Sequence, residues 1–164
     1  MKAIEVIEKL GLTPLEPEGG FFRRTYQSER MIEGAQSGKR HLLTTIYYLM
    51  TPDNYSSFHR LPHVEIFHFY AGAEVQMNMI SPEGNLTEVL LGNSLLLEQV
   101  PQLVVPPNYW QAVRISPGAK GEWALLGTTV SPGFDFADFE LGNRDQLLSQ
   151  FPMHSELIRE LTRG

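Results

Sequence analysis

The feature that most constrains this chain is its punctuation between Leu42 and Val130. Short runs rich in β-branched and aromatic residues follow one another there, each closed by a turn signal. "LLTTIYYLM" (Leu42–Met50) opens the series. It continues through Ser56–Leu61, Glu65–Tyr70, Glu74–Ile80, Thr87–Leu91, Gln102–Val105, Gln111–Ile115 and Trp123–Val130, with "TPDNYS", "SPEGN", "LGNS", "VPPN" and "SPGAKG" among the separators. Many short strands at regular spacing, cut by Gly, Pro and Asn, point to an all-β sandwich or barrel.

The ends read differently. Ala3, Ile4, Ile7 and Leu10 are spaced as on one helix face, and Gly11 stops that helix. "TPLEPEGG" (Thr13–Gly20) is a Pro/Gly-rich connector, "FFRRTYQS" reads as a strand, and "MIEGAQSGKR" (Met31–Arg40) as a mobile loop. In the tail, Asn143 is a cap candidate and Leu157, Ile158 and Leu161 are apolar, so one or two short helices are expected there. No repeat, low-complexity tract or linker interrupts the chain, and residues 1–164 are expected to form one domain.

Composition removes several function classes. There is no cysteine, which excludes disulfides, thiolate metal sites and cysteine nucleophiles. "MKAIEVIEKLGL" lacks the long apolar core of a signal peptide, and no apolar run approaches the ~20 residues of a membrane-spanning helix. The expected location is the cytoplasm. A formal net charge of -6, with one adjacent Arg pair in "FFRR", argues against nucleic acid or an anionic membrane as partner. A small molecule is the expected partner. No glycine-rich phosphate loop occurs, and the sequons at Asn54 and Asn85 are read as chance.

The stretch "FHRLPHVEIFHFYAG" (Phe58–Gly72) concentrates the polar chemistry, with three of the five histidines and Glu65. Strand alternation decides which of these residues meet. Ser57, His59 and Leu61 share one face of the first strand. Glu65, Phe67 and Phe69 share one face of the next, with His68 and Tyr70 on the other. A hairpin around "LPHV" with apolar faces inward then sends His59 and Glu65 into the interior. A buried imidazole and carboxylate are costly unless paired, liganded or hydrogen-bonded, so they mark either a polar pocket or a structural pair.

The spacing His59-x-Leu61-x3-Glu65-x6-Gly72 matches the first cupin motif, H-x-H-x3-4-E-x6-G, with Leu61 at the second His. "PPNYWQ" lines up with the second motif, P-x-G-x2-H, with Asn108 for the glycine and Gln111 for the last His. Together with "EGGFFRRTYQS", "VVPPNYWQAVRI" and "SPGFDFADFELGNRDQLLSQFP", these segments resemble the cupin-5 family over nearly the whole chain. The resemblance implies a double-stranded β-helix, a jelly-roll barrel with a central pocket and short N- and C-terminal helices, assembled as a homodimer. It implies no established reaction.

Cupins with an intact motif hold a divalent metal on three His and one Glu. Here the matching positions are His59, Leu61, Glu65 and Gln111, and leucine cannot ligate. No metal or other cofactor is therefore expected. Were a metal bound, His59, Glu65 and Gln111 would hold it, with His63 or His68 recruited only if a bulge broke the alternation. At fold level the pocket resembles the cupin sugar-nucleotide epimerases, which work with a His base and a Tyr acid. The first expectation is thus a metal-independent epimerase or isomerase acting on a sugar or polar metabolite. His59 would be the base, Glu65 its partner, and Tyr48, Tyr70 or Tyr109 the acid. Ser57, Tyr48, Phe67, His68, Gln111 and Glu140 are the expected ligand contacts. The alternatives are a binding or sensing cupin without turnover and a metal-dependent cupin enzyme.

Other candidates carry plainer readings beside the functional ones. In "SPGFDFADFEL" a strand would place Phe134, Phe136, Asp138 and Glu140 on one face; Asp138 or Glu140 would reach the pocket, or the phenylalanines would anchor the segment while the acids face water. Arg23 or Arg24 would meet a ligand anion or lie at the surface. Arg60 and Trp110 are expected to face outward, and His41 and His154 to be exposed.

Overall fold

The computed structural model describes residues 1–36 and 38–164. The chain enters through helix α1 (Ala3–Leu10) and runs through β1 (Thr13–Pro14), β2 (Phe21–Gln27) and a hairpin of β3 (Met31–Glu33) and β4 (Lys39–His41). It continues through β5 (Thr44–Met50), β6 (Ser56–Arg60), β7 (Val64–Gly72), β8 (Val75–Ile80), β9 (Leu86–Leu91), β10 (Gln102–Val105), β11 (Trp110–Ile115), β12 (Ala124–Ser131) and β13 (Glu140–Leu141). Helices α2 (Arg144–Gln150) and α3 (Ser155–Glu160) close it. The strands expected from the sequence are therefore present within a residue or two. "MIEGAQSGKR", read as a loop, instead carries the β3–β4 hairpin; its Ser37 lies outside the described residues.

The strands form two facing antiparallel sheets, ordered β1-β2-β5-β12-β7-β10 and β13-β6-β11-β8-β9. This is the jelly-roll arrangement of a cupin barrel. Alternation sorts each strand into two environments. On β5, Tyr48 and Met50 point between the sheets, while Tyr47 and Leu49 point outward and pack with Val6 of α1. The inner core takes Phe67 and Phe69 from β7, Met77 and Met79 from β8, and Leu126 from β12. The outer face of the second sheet offers Phe58, Trp110 and Ala112 to Leu147, Phe151 and Ile158 of the C-terminal segment. Trp110 thus faces outward, as expected, but into packing: it is 5% exposed, with the Arg60 guanidinium 4.6 Å from its ring centroid. Burying these apolar residues supplies the main stabilisation, at roughly 1.5–3 kcal/mol per large side chain.

Local signals placed in the sequence act as expected at both ends. Gly11 closes α1 in the left-handed conformation (φ 61°), and the Asn143 side chain accepts from the Gln146 N–H at the start of α2. The motif glycine, Gly72, has φ 96°, and a Cβ there would stand 2.3 Å from the Trp123 carbonyl oxygen, so a side chain is excluded. Asn108, where the second motif has glycine, also has positive φ (65°), a conformation that asparagine tolerates better than most residues. Among the described residues no helix is long and apolar enough to cross a membrane.

Candidate functional site

A cavity opens between the sheets at the end where β6 runs into β7. Its interior leaves about 90 Å³ to the centre of a water-sized molecule, room for a small ligand. Its polar lining is Glu18, His59 and Glu65 with Thr44 and Thr128. Its walls are Tyr48, Leu61, Phe67, Ile46, Phe22 and Phe134, and the exposed Arg24 and Phe136 mark the rim.

His59 sits at the floor, 2% exposed. Its Nδ1 lies 2.8 Å from the Ser57 carbonyl oxygen, which can only accept. Nδ1 therefore carries a hydrogen, and in the neutral form of the ring Nε2 is an acceptor. That Nε2 has no hydrogen-bond partner; the nearest carboxylate oxygen, Glu18 Oε1, is 4.0 Å away. The Phe139 ring stacks against the imidazole at 5.2 Å between centroids. The backbone of Ser57, rather than Glu65, thus sets the orientation of His59.

Glu65 reaches the same floor from β7. It accepts a hydrogen bond, 2.8 Å from Gln111 Nε2, and burial pushes its pKa above the ordinary carboxylate value. The negative charge of Glu18 adds to that rise, while His59, Gln111 and the Thr128 hydroxyl oppose it. Glu18 comes from the connector before β2 and accepts 2.8 Å from Ser56 Oγ. Gly20 lets this connector run flat against the barrel: φ is 78°, and a Cβ would come 2.6 Å from the Tyr48 ring. The Tyr48 hydroxyl donates to the Gly19 carbonyl at 2.8 Å. Burial, then the nearby Glu18 charge, pushes its pKa well above the ordinary value, so it keeps its proton.

The residues singled out from sequence divide into two groups. His59, Glu65, Tyr48 and Phe67 meet at the cavity, as alternation requires. Gln111 stands beside His59 in the β6–β11 register and supports Glu65 from behind, its own Oε1 buried without a partner. Ser57 is a correction. A bulge in β6 pairs His59 with Gln111 but Ser56 with Val113, which breaks the alternation. Ser56 therefore faces Glu18, and Ser57 Oγ instead accepts from Arg163. His68 is a second: it lies on the outer face of β7, against Thr129, Gln102 and Tyr70. Glu140 is a third: it is exposed and paired with Arg60 at 2.7 Å. Of the three tyrosines, Tyr70 is 49% exposed outside the barrel and Tyr109 packs on the inner core, so Tyr48 alone lines the cavity.

"SPGFDFADFEL" does not run as a strand. Phe136–Asp138 form a 3-10 turn, opened by the Asp135 side chain accepting from the Ala137 N–H. The turn lays Phe134 and Phe136 over the mouth and buries Asp138. Arg40 clamps Asp138 with two hydrogen bonds of 2.7 and 2.8 Å, which holds the Asp138 carboxyl below its usual range. His63, in the turn between β6 and β7, is 4% exposed; its Nε2 accepts from the Ala35 N–H and its Nδ1 is 3.7 Å from Asp138. Burial lowers its pKa. His41 and His154 are half-buried on the carbonyls of Ser28 and Gly84. Sequence reasoning missed Glu18 and the Arg40–Asp138 pair, because both depend on contacts between segments distant in sequence.

The metal positions of the fold do not fit a metal here. Leu61 lines the cavity with no donor atom, and the Gln111 amide N–H is committed to Glu65. Among the described residues no three His, Asp or Glu side chains stand together as a metal site.

With this geometry in place, the chain is identified by comparison. It belongs to the cupin-5 family: residues 4–142 match the family described as Cupin superfamily (DUF985). A solved structure of a protein from Shewanella oneidensis is 36% identical, with a TM-score of 0.91 over 100% of this chain and 99% of that one. A hypothetical protein from Leishmania major is 28% identical, with a TM-score of 0.94 over the whole of both chains. An uncharacterized protein of Saccharomyces cerevisiae is 30% identical over 133 residues, covering 74% of this chain. The chain spans 66% of that yeast relative's length.

Proposed function

We propose that this cupin binds a small organic molecule in the cavity between its sheets, anchored by Glu18, His59 and Glu65. The observation that carries the reading is the unpartnered Nε2 of a histidine only 2% exposed, at the wall of an open cavity. A ligand donor in the cavity would supply the partner that the protein itself does not give this nitrogen. The test is native mass spectrometry of untagged protein, followed by denaturing release of what it carries. A molecule bound one per chain, lost in His59→Ala, is the expected result. Protein that carries nothing and gains no Tm from any member of a metabolite library would overturn the reading.

The His59 tautomer favours a second reading, metal-independent proton transfer of the epimerase or isomerase type. Nε2 would take a proton from a carbon beside a carbonyl. The C–H electron pair would move onto the carbonyl oxygen as an enolate. The Tyr48 hydroxyl, once released from the Gly19 carbonyl, would return a proton to the other face of that carbon as the carbonyl re-formed, and water would restore both side chains. This reading stands second because the floor offers an enolate oxygen no free charged donor. Deuterium uptake from ²H₂O into carbonyl-bearing sugar nucleotides, lost in His59→Asn, would raise it to first. Its absence across the panel would remove it.

We read the partner chain as a second copy. The outer face around the edge strand β10 exposes Tyr70 and Val104, at 49% each, and the 3-10 turn that precedes β10 in the chain exposes Leu95, Leu96 and Leu97. Light scattering giving twice the 18.6 kDa chain mass is expected, and a monomer would refute it.

A further inference from the structure

We propose that the cavity selects a small organic cation, a primary ammonium or amidinium group seated between Glu18, Glu65 and His59 on a flat apolar body held by the phenylalanine walls. The inference rests on the reading that this cavity holds a small molecule, and it names the class of that molecule.

Hydrogen-bond accounting at the floor is one-sided. Ser56 Oγ donates to Glu18 Oε1, Gln111 Nε2 to Glu65 Oε2, Tyr48 to the Gly19 carbonyl and His59 Nδ1 to the Ser57 carbonyl. These donors are committed, and the remaining polar lining, the Thr44 and Thr128 hydroxyls, is neutral. Glu18 Oε2, His59 Nε2 and the free acceptor sites of Glu65 make no hydrogen bond of their own within the protein, and all are acceptors. A carboxylate has about four acceptor sites; Glu18 receives the Ser56 hydroxyl and Glu65 the Gln111 amide with the Thr128 hydroxyl, all neutral groups. An ammonium brings three N–H donors and no acceptor, which matches the deficit in number and in sign.

Charge points the same way. Two acids line the cavity, and the one basic lining residue, Arg24, is exposed at the rim with its guanidinium on Gln27 at 2.6 Å. Neither floor carboxylate has a Lys or Arg within salt-bridge distance among the described residues.

The walls exclude the main competitor. Phe22, Ile46, Phe67, Val130, Phe134 and Phe136 offer no hydrogen-bond partner to the far end of a ligand. A sugar would have to bury hydroxyls unpaired against them. Aromatic faces instead attract an organic cation and its ring. A bare metal ion fits less well. Among the described residues no three His, Asp or Glu side chains stand close enough together to hold one, and Leu61 and the Gln111 N–H add no ligand.

The test uses the untagged full chain, titrated calorimetrically with benzylamine, benzyl alcohol and benzoate. Benzylamine is expected to bind at least about tenfold more tightly than benzyl alcohol, and benzoate not to bind. The wild-type comparison needs no variant to fold. Glu18→Gln and Glu65→Gln are each expected to remove the preference for the amine while keeping benzyl alcohol binding. Equal affinity for amine and alcohol would overturn the cation class and leave the pocket reading standing. Binding of none of the three would overturn both. Stoichiometric Mn²⁺ or Zn²⁺ uptake that competes with benzylamine and is lost in Glu18→Gln would overturn the proposal in favour of a metal.

Discussion

Two sets of buried acids in this molecule are treated in opposite ways. Asp138, beneath the segment that covers the cavity mouth, is clamped by the Arg40 guanidinium through two short hydrogen bonds. Glu18 and Glu65, a few side chains away at the floor, receive only neutral donors, hydroxyls and an amide. The pKa directions follow: Arg40 holds Asp138 below its usual value, while burial lifts Glu65 above its own. A carboxylate that the fold neutralises is part of the architecture. One that the fold buries and leaves without a cation keeps its charge available to a ligand. That contrast separates the latch from the site more sharply than burial does, since both sets are more than nine-tenths buried.

The strongest way to break the comparison is to remove the cation. Arg40→Met leaves Asp138 buried and unpaired, and Tm is expected to fall on the order of 10 °C by scanning calorimetry. Arg40→Met with Asp138→Leu should recover most of that loss, because removing both partners avoids the stranded charge. Equal losses in the single and double variants would mean that the latch is held by packing alone.

A second experiment sharpens it through pH. Glu65 has a raised pKa when folded, so the folded state holds its proton longer than the unfolded chain. Stability therefore falls as pH rises from the unfolded value toward the folded one, and Glu65→Gln should remove that fall. At neutral pH the variant is expected to be at least as stable as wild type. Asp138 behaves in the opposite sense. Its contribution is present above the unfolded pKa and is lost as pH falls through the lowered folded value, and Asp138→Asn should lose it at neutral pH. Urea denaturation of the two variants from pH 3 to pH 8 reads both signs. Two slopes of the same sign would end the distinction.

The smallest effect is expected two residues away. Glu140 makes the same kind of bidentate pair with Arg60, but the two side chains are 53% and 36% exposed. Water and salt screen such a pair, so Glu140→Gln should leave Tm within about 1 °C of wild type. A larger fall would show that the exposed pair also fastens the covering segment.

Much of the barrel and half of the site were legible in the chain itself. Period-two alternation placed Glu65 and Phe67 inward with His68 outward. Each of these follows from a regular strand with one face in the core. His68 entered the expected ligand set against that parity, Glu140 on the assumption of a regular strand through Ser131–Leu141, and the structure puts both outside. Where a strand was irregular, the same rule failed. One extra residue in β6 exchanged Ser57 for Ser56 at the floor, and a 3-10 turn in "FDFADF" turned Asp138 inward where a strand would have kept it with Phe134 and Phe136. Neither bulge nor turn has a composition that distinguishes it from its neighbours.

By itself, the sequence determined the class of fold, the paired sheets and the inward set on His59's and Glu65's strands, because these depend on patterns repeated every second residue. Only the tertiary structure decided which charges meet. Glu18 lies 41 positions from His59 and Arg40 lies 98 from Asp138. Electrostatic partners act across space with no periodic trace along the chain, so a connector glutamate and a hairpin arginine look alike until the sheets close around them.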